Sequence, residues 1–533
     1  MSDVATAPEP GSAPAPEPTP ADIRMVIGAS ALGTVFEWYD FFLYGILAAL
    51  IGQLFFPVDN PTAATLASLA AFGAGFGVRP LGAMLFGHFG DVIGRKYTFL
   101  VTITLMGGAT AVIGMLPTYE TAGIIAPILL VLLRLLQGLA LGGEYGGAAI
   151  YVAEHAPPGK RGQYTSWIQV SVVGGFLLCL IVVLACRWSM SDEDFAAWGW
   201  RIPFLISIVM LAISIYIRMQ LSESPVFKAM KEAGTTSKNP IVESFSDKAN
   251  IGKVLVALFG VAAGLSVIYY TSQFGTLYFL QGTARVGEEE ALLYMAVGAL
   301  LAAPLYVGFG ALSDRIGRKK MLLAGYALSM LLVFPLFQLM ADGANPGLAR
   351  ATAASPVTLE LPECDFSVFG KPETECQKAL AFLTKRGISY DKQDSAALVL
   401  RVGESSVVGF DEAAYVAALS DAGYPDRADP TEKERWKIIL AIAVMVALSA
   451  MTYGQVAAIL VELFPAKIRY TSMSVPYHIG TGYFGGFLPF ISQYIVVSTG
   501  NAYSGLWYTV GVVGMAFIVS AIWLPETYRK ELE

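Results

Sequence analysis

The chain has 533 residues, of which 55% are hydrophobic and 14% charged, and its mean hydropathy is +0.57. Runs of about 18 or more apolar residues recur along it, which is the length that crosses a bilayer. The formal net charge of −7 adds little, since much of the acidity lies in hydrophilic segments. Composition therefore excludes a soluble globular protein, and we expect contact with a lipid bilayer and none with nucleic acid.

Residues 1–22 are rich in Pro, Ala and Glu and have no apolar periodicity, which predicts a disordered cytoplasmic tail rather than a cleavable signal. A helix rises about 1.5 Å per residue and the hydrocarbon layer is about 30 Å thick, so a span needs about 20 residues. On that measure the sequence predicts twelve spans, at approximately 25–50, 64–86, 98–116, 124–152, 165–186, 202–220, 254–280, 291–311, 321–340, 437–460, 472–497 and 505–524.

Lys and Arg residues concentrate in alternate loops, which predicts that these loops and both termini are cytoplasmic. The predicted organisation is all-α, with two six-helix bundles and a small α/β insertion outside the membrane between helices nine and ten. Its parts are a first bundle (23–220), a cytoplasmic connector (221–252), helices 7–9 (253–340), a periplasmic insertion (341–435), and helices 10–12 with a short tail (436–533).

A ten-residue phrase occurs twice, from Gly87 to Lys96 and from Gly310 to Lys319, each time between two apolar runs. This duplication indicates two homologous halves. The offset between matching residues grows from 223 at Gly87 and Gly310 to 308 at Glu154 and Glu462. The difference of 85 residues locates an insertion in the second half, and 341–435 is the hydrophilic stretch long enough to hold it.

Within this insertion the sequence predicts helices at 379–385 and 411–419 and a strand at 396–402. Cys364 and Cys376 lie twelve positions apart and are predicted to pair on an oxidising side of the membrane; two free thiols are the alternative. The residues do not define the insertion's role, and substrate capture, contact with a periplasmic partner and passive covering all remain open.

Charged groups in a bilayer are costly, so ionisable residues within the spans are functional candidates. Their depths predict two ionic levels, Asp40 with Arg134 and Arg79 with Glu144, and leave Glu37 nearer the midplane. A carboxylate that exchanges an arginine for a dry environment gains a proton, which suits proton coupling. Fixed salt bridges between helices are the alternative. The proton-coupling candidates are Glu37, Asp40, Arg134 and Glu144.

The spans of the second half contain fewer charges and more polar aromatic and amide groups. Such groups bind a solute where they face a cavity and only pack where they do not. These residues are Tyr269, Tyr270, Gln273, Tyr453, Gln455, Tyr477, His478 and Tyr483.

Five motifs in order resemble the metabolite:proton symporter family of the major facilitator superfamily, the branch that carries α-ketoglutarate, shikimate, citrate and proline or betaine. They are Glu37-Trp38-Tyr39-Asp40-Phe41, Arg79-Pro80-Leu81-Gly82, the phrase from Gly87 to Lys96, the segment Arg134 to Gly147, and Trp198 to Pro203. The resemblance implies alternating access of a solute and a proton between two six-helix bundles.

The resemblance also implies that the loop phrases form a gate, although the first copy has Val92 where the second has Arg315. The implied gating residues are Asp91, Arg95, Glu154, Arg161, Glu223, Asp314, Arg318, Glu462, Arg469 and Glu526. The substrate-binding candidates are Arg79, Gln137, Tyr145, Arg201, Tyr270, Gln273, Tyr453, Gln455 and His478.

These features predict proton-coupled uptake of a small organic acid by a monomeric carrier in a bacterial inner membrane. Transport of a zwitterionic osmolyte and a receptor that no longer transports are the alternatives. An enzyme is not expected, because the insertion has no histidine and no nucleophile constellation. No cofactor or metal is expected.

Overall fold

The computed structural model describes residues 20–56, 61–92, 95–143, 145–157, 159–220, 240–364, 372–465 and 468–530. Eight helices in these ranges are long and apolar enough to cross a membrane, and the number is ten if each of two bent helix pairs is one span. The bent pairs are Leu32–Ile46 with Ala48–Phe55, at 61°, and Asp192–Gly199 with Arg201–Ile217, at 54°.

Two predicted spans do not meet that length and composition. The segment predicted at 98–116 contains the shorter apolar helix Leu100–Met115. The segment predicted at 472–497 is divided, because a glycine-rich π-helical stretch, Gly480–Gly486, separates Arg469–Ile479 from Leu488–Thr499. Most of the connector predicted at 221–252 and most of the tail predicted at 1–22 lie outside the described residues.

The helices of the first half are Pro20–Ile46, Ala48–Phe55, Pro61–Gly77, Arg79–Val92, Arg95–Met115, Tyr119–Ala122, Ile125–Gly142, Tyr145–His155, Arg161–Trp188, Asp192–Asp194, the π-helical Phe195–Gly199 and Arg201–Gln220. The second half begins with Pro240–Ser246 and with Lys248–Thr283, in which α-helical and π-helical turns alternate. It continues with Glu288–Ile316, Arg318–Ala344, Arg435–Tyr453, Val456–Leu463, Arg469–Ile479, Gly480–Gly486, Leu488–Thr499 and Leu506–Trp523.

The halves meet along two seams. On one, Arg161–Trp188 packs along Glu288–Ile316; on the other, Pro61–Gly77 and Arg79–Val92 pack against 469–499. Close approach within the first half depends on glycine. A side chain at Gly142 would collide with the backbone carbonyl of Arg79, so this glycine lets two helices touch and fixes the start of Arg79–Val92.

Residues 346–364 and 372–424 include a four-stranded sheet and three helices on one end of the helical body, here called the insertion side. The strands are β1 Val357–Leu361, β2 Tyr390–Asp394, β3 Val399–Val402 and β4 Ser405–Val408, in the order β2-β1-β3-β4. β1 is parallel to β2 and antiparallel to β3, and β3 is antiparallel to β4. The helices are Pro346–Ala354, Glu375–Lys385 and Glu412–Asp421.

Local signals explain these boundaries. The Asp411 side chain accepts a hydrogen bond from the Ala414 N–H at 2.8 Å and starts the last of these helices. Glu375–Lys385 begins earlier than expected, because Thr374 and Gln377 form a capping box. The strand predicted at 396–402 is shorter, Val399–Val402. The sulfur atoms of Cys364 and Cys376 are bonded.

Candidate functional site

A small pocket of about 30 Å³ lies between the two halves. The first helix contributes Glu37 and Trp38, and Arg79 enters from the start of its own helix. The second half contributes tyrosines and a histidine. The complete lining is Thr34, Glu37, Trp38, Arg79, Leu141, Tyr145, Ile168, Tyr270, Tyr453, Tyr477, His478 and Thr481. A space of this size holds little more than a water molecule, so the two halves lie close together at the pocket in this conformation.

Arg79 is the cation of this pocket and is 3% exposed. Its guanidinium carbon lies 4.0 Å from the ring centre of Phe76 and 4.6 Å from that of Phe41, which stabilises the charge through the ring faces. Its Nε and Nη2 atoms have no hydrogen-bond partner among the described residues. A buried guanidinium with unused donors matches the geometry of a carboxylate ligand.

The two carboxylates of the first helix have different surroundings. Glu37 lines the pocket, whereas Asp40 is buried in the first bundle and accepts a hydrogen bond from the Ser207 hydroxyl. The expected Asp40–Arg134 ion pair is not formed in the described structure. The two side chains are directed to different neighbours, Asp40 to Ser207 and Arg134 to Gln137, so similar depth along their helices does not bring them into contact.

Arg134 belongs to a buried polar chain instead. It donates to Gln137 Oε1 at 2.7 Å, and Gln137 donates to Thr110 Oγ1 at 2.6 Å. The Arg134 guanidinium also lies 4.4 Å from the ring centre of Tyr44. These contacts satisfy much of the charge inside the first bundle, and neither Arg134 nor Gln137 lines the pocket.

Tyrosines form the wall opposite Arg79. The rings of Tyr145 and Tyr477 stack across the two halves, with centres 4.0 Å apart and planes within 8°. The hydroxyls of Tyr453 and Tyr477 are hydrogen bonded at 2.9 Å. His478 lines the same pocket, and its ring nitrogens have no hydrogen-bond partner within the described ranges. The wall therefore offers aromatic faces and unused polar atoms to a solute.

Besides Gln137, three predicted binding residues lie outside the pocket lining. Arg201 donates to the carbonyls of Gly114 and Leu116 at 2.9 and 2.6 Å, because carbonyls at a helix end lack partners in their own helix. Gln455 lies at the break between Arg435–Tyr453 and Val456–Leu463 and donates to Met451 O. Gln273 is buried outside the pocket lining.

Aromatic side chains close the insertion side of the pocket. Phe274 of the second half lies 5.2 Å from Phe72 and 6.0 Å from Phe42 between ring centres. The Tyr278 hydroxyl donates to Gly45 O at 2.6 Å, which joins the halves directly. This closure is neutral and largely apolar.

A charged network closes the opposite side. The Asp314 carboxylate accepts from the backbone N–H groups of Gly162 and Gln163, both at 2.9 Å, at the start of a helix in the other half. Helix starts favour a negative charge because their N–H groups are unpaired. Arg318 bonds Asp314 at 2.8 Å and Glu462 at 3.1 Å.

Four further predicted gating residues join this network. Glu526 accepts from the backbone N–H of Arg318 at 2.7 Å, and two ion pairs cross between the halves, Arg161–Glu462 at 3.7 Å and Arg469–Glu154 at 3.3 Å. Of the remaining candidates, Glu144 and Glu223 lie outside the described residues, and so do the side chains of Asp91 and Arg95. The expected Arg79–Glu144 pair therefore stays a prediction.

Sequence reasoning missed Thr34, Trp38 and Thr481 as pocket residues, whereas Tyr477 was among the polar aromatic candidates. A signal was present for the first two, since positions 34, 37, 38 and 41 follow helical spacing and lie on one face. Tyr477 and Thr481 lie four residues apart, astride the junction between a helix and its π-helical continuation.

Apolar helices in two halves, a pocket at their interface and closures on both sides define a membrane transporter with the major facilitator fold. The structure of the xylose transporter XylE from E. coli, in a partially occluded inward-open conformation, has this fold, with a TM-score of 0.59 over 96% of this chain and 99% of that one at 17% identity. The chain belongs to the Sugar (and other) transporter family, whose model matches residues 25–249 and 425–533. The predicted superfamily is thereby confirmed.

Individual relatives have different names. The inner membrane metabolite transport protein YhjE of Escherichia coli (strain K12) is 38% identical over 63% of this chain and 77% of its own length. The shikimate transporter of the same strain is 40% identical over 59% and 72%. The proline/betaine transporter of Escherichia coli (strain K12) is 35% identical over 60% of this chain and 65% of its own length.

Proposed function

We propose that the chain is a proton-coupled symporter of a bacterial inner membrane that takes up a small organic acid by alternating access through twelve spans. In this proposal both termini are cytoplasmic and residues 341–435 are periplasmic. The observation that carries the proposal is Arg79, a buried cation with two unpaired nitrogens among the described residues, in a pocket that Glu37 also lines. The names of the shikimate and YhjE relatives support the substrate class and the membrane.

Coupling follows from the proximity of charges. The carboxylate of an incoming acid binds the Arg79 guanidinium as a bidentate ligand. The negative charge of the bound acid repels an ionised Glu37 in the same small pocket and therefore favours the protonated form of Glu37. Solute and proton therefore enter together, and linkage requires that each raises the affinity for the other.

Uptake into proteoliposomes tests the proposal. Labelled shikimate and α-ketoglutarate are supplied outside, with and without an inward proton gradient. We expect accumulation of at least one acid above equilibrium only with the gradient. Equal accumulation with and without the proton gradient would contradict symport. Lack of uptake of both acids would contradict the proposed substrate class.

Two carboxylates of the same helix provide a matched pair of variants. Glu37→Gln should abolish gradient-driven accumulation but retain counterflow exchange, because the pocket keeps its shape while its titratable group is lost. Asp40→Asn should retain accumulation, since Asp40 is bonded to Ser207 outside the pocket lining. If Asp40→Asn abolishes accumulation and Glu37→Gln retains it, Asp40 and not Glu37 is the proton-coupling residue.

A zwitterionic osmolyte is the second candidate. Glycine betaine and proline also have a carboxylate for Arg79, and their cationic group suits the faces of Tyr145, Tyr453 and Tyr477. The relative named as a proline/betaine transporter supports this candidate. Competition decides between them: glycine betaine in excess inhibits uptake of the labelled acid only if the pocket accepts the quaternary ammonium group. A Tyr477→Leu variant should then lose betaine inhibition more than acid uptake.

A further inference from the structure

A second and larger cavity lies between the insertion and the helical body, with a volume of about 310 Å³. It falls within the usual size range of small-molecule sites, roughly 300–1,000 Å³. Its walls are formed by the insertion, by the insertion-side ends of helices in the second half, and by Ala48–Phe55 and Pro61–Gly77 of the first half. It lies on the insertion side of Tyr278, which lines it and closes the path to the central pocket.

The insertion is attached to the second half by hydrogen bonds to backbone carbonyls around this cavity. The Tyr390 N–H donates to Gly500 O at 3.1 Å, and Lys392 Nζ donates to Ser498 O at 2.6 Å. Gly387 has a φ of +60°, and a side chain there would collide with Gly282 O. The insertion therefore packs closely against the helix ends beside the cavity, which argues against a domain that is only weakly attached.

Several buried polar atoms in these walls have no hydrogen bond among the described residues. Tyr390 Oη and Thr384 Oγ1 are buried and lie close to each other but out of hydrogen-bond geometry, and Gln281 Nε2 is buried with no hydrogen-bond partner among the described residues. Burial raises the pKa of Tyr390 to about 12, so its hydroxyl keeps its proton and can donate. Buried polar atoms without partners are uncommon in folded proteins and costly, so several together in one cavity indicate a ligand that satisfies them.

Charge defines the ligand further. Lys385 is the one charged residue among the described residues that line the cavity, and it makes no hydrogen bond or ion pair within the described ranges. Leu66 and Val496 contribute apolar surface to other walls. The cavity therefore combines one cation, several hydrogen-bond donors and apolar walls.

We infer that this cavity is a second binding site, on the insertion side, for a small organic anion that has hydroxyl or oxo groups and an apolar face. The inference rests on the proposed function in that it assigns the site to the same class of solute, which would bind here before it reaches Arg79. Lys385 binds the carboxylate, and Tyr390, Thr384 and Gln281 donate to the remaining oxygens. The insertion then has a substrate-capture role.

Equilibrium binding to the full chain in lipid nanodiscs tests this site, with labelled shikimate and labelled α-ketoglutarate as probes. We expect two bound molecules per protein for at least one acid. Lys385→Gln should weaken one of the two sites at least tenfold and raise the KM of uptake at least threefold, with kcat unchanged. Lys378→Gln is the matched control, since this lysine lies on the same helix, Glu375–Lys385, and is exposed like Lys385, but does not line the cavity.

A second variant keeps the test independent of charge. Val496→Phe fills the cavity from the wall opposite the insertion and should remove the same site. Equal stoichiometry and KM for Lys385→Gln and Lys378→Gln, or binding of neither acid, would overturn the inference. Failure of the proposed function has a different result: one Lys385-dependent site remains in nanodiscs while proteoliposomes accumulate no acid.

Discussion

The charged closure makes a quantitative prediction about Asp314. In Asp314→Asn, one carboxylate oxygen becomes an NH₂ group, so one of the N–H donors of Gly162 and Gln163 loses its acceptor. The attraction to Arg318 at 2.8 Å is lost as well. A hydrogen bond to a charged group contributes about 1.5–3 kcal/mol. For this half-buried site we therefore expect a loss of about 2–3 kcal/mol, or roughly a 30- to 150-fold shift from closed to open.

Hydrogen exchange measures that shift directly, because the two affected amides are known. A peptide that covers residues 160–166 is followed by mass spectrometry in nanodiscs. Exchange of the Gly162 and Gln163 amides should accelerate at least 30-fold in Asp314→Asn. Asp391→Asn removes an exposed carboxylate of the insertion and should leave this peptide unchanged. Equal protection in wild type and Asp314→Asn would refute the assignment of these amides to the closure.

Two other changes test the opposite closure and the helix packing. Tyr278→Phe removes the bond to Gly45 O, worth about 1 kcal/mol, and should increase the initial rate of solute binding from the insertion side about fivefold in stopped-flow binding; an unchanged rate contradicts a closing role. Gly142→Ala forces a methyl group against the Arg79 carbonyl and should cost about 1–3 kcal/mol in thermal unfolding, whereas Gly108→Ala, with open space around it, should cost little.

Much of the architecture could be predicted because it depends on properties that are local in sequence. Apolar runs locate helices, since a bilayer imposes their length and composition. The duplicated phrase identifies two halves, and the change in offset between them locates the insertion. The helix at Glu412–Asp421 followed from its cap, Asp411, and from Gly423, which has a φ of +82°. None of these inferences requires knowledge of how helices are rotated or tilted.

The pairing of charges could not be predicted for the same reason. Distance along a helix gives the depth of a residue, but contact also depends on the direction of the side chain around the helix axis. Asp40 and Arg134 have similar predicted depths, yet Asp40 faces Ser207 and Arg134 faces Gln137. Arg201 shows a second limit, because the carbonyls that hold it belong to a helix end about 85 positions earlier in the chain.

The two closures of the central pocket differ in chemistry, and this difference has consequences for how each opens. Rings such as Phe274 separate without exposing an ion, so their cost scales with the apolar area that meets water. Asp314 and Glu462 must instead exchange fixed partners for water, and the cost of the exchange depends on how many protein donors each loses. Since Asp314 accepts from two backbone N–H groups of the other half, opening on that side removes both donors from this carboxylate. Variants on the charged side should therefore change the populations of states more than they change the affinity of the pocket.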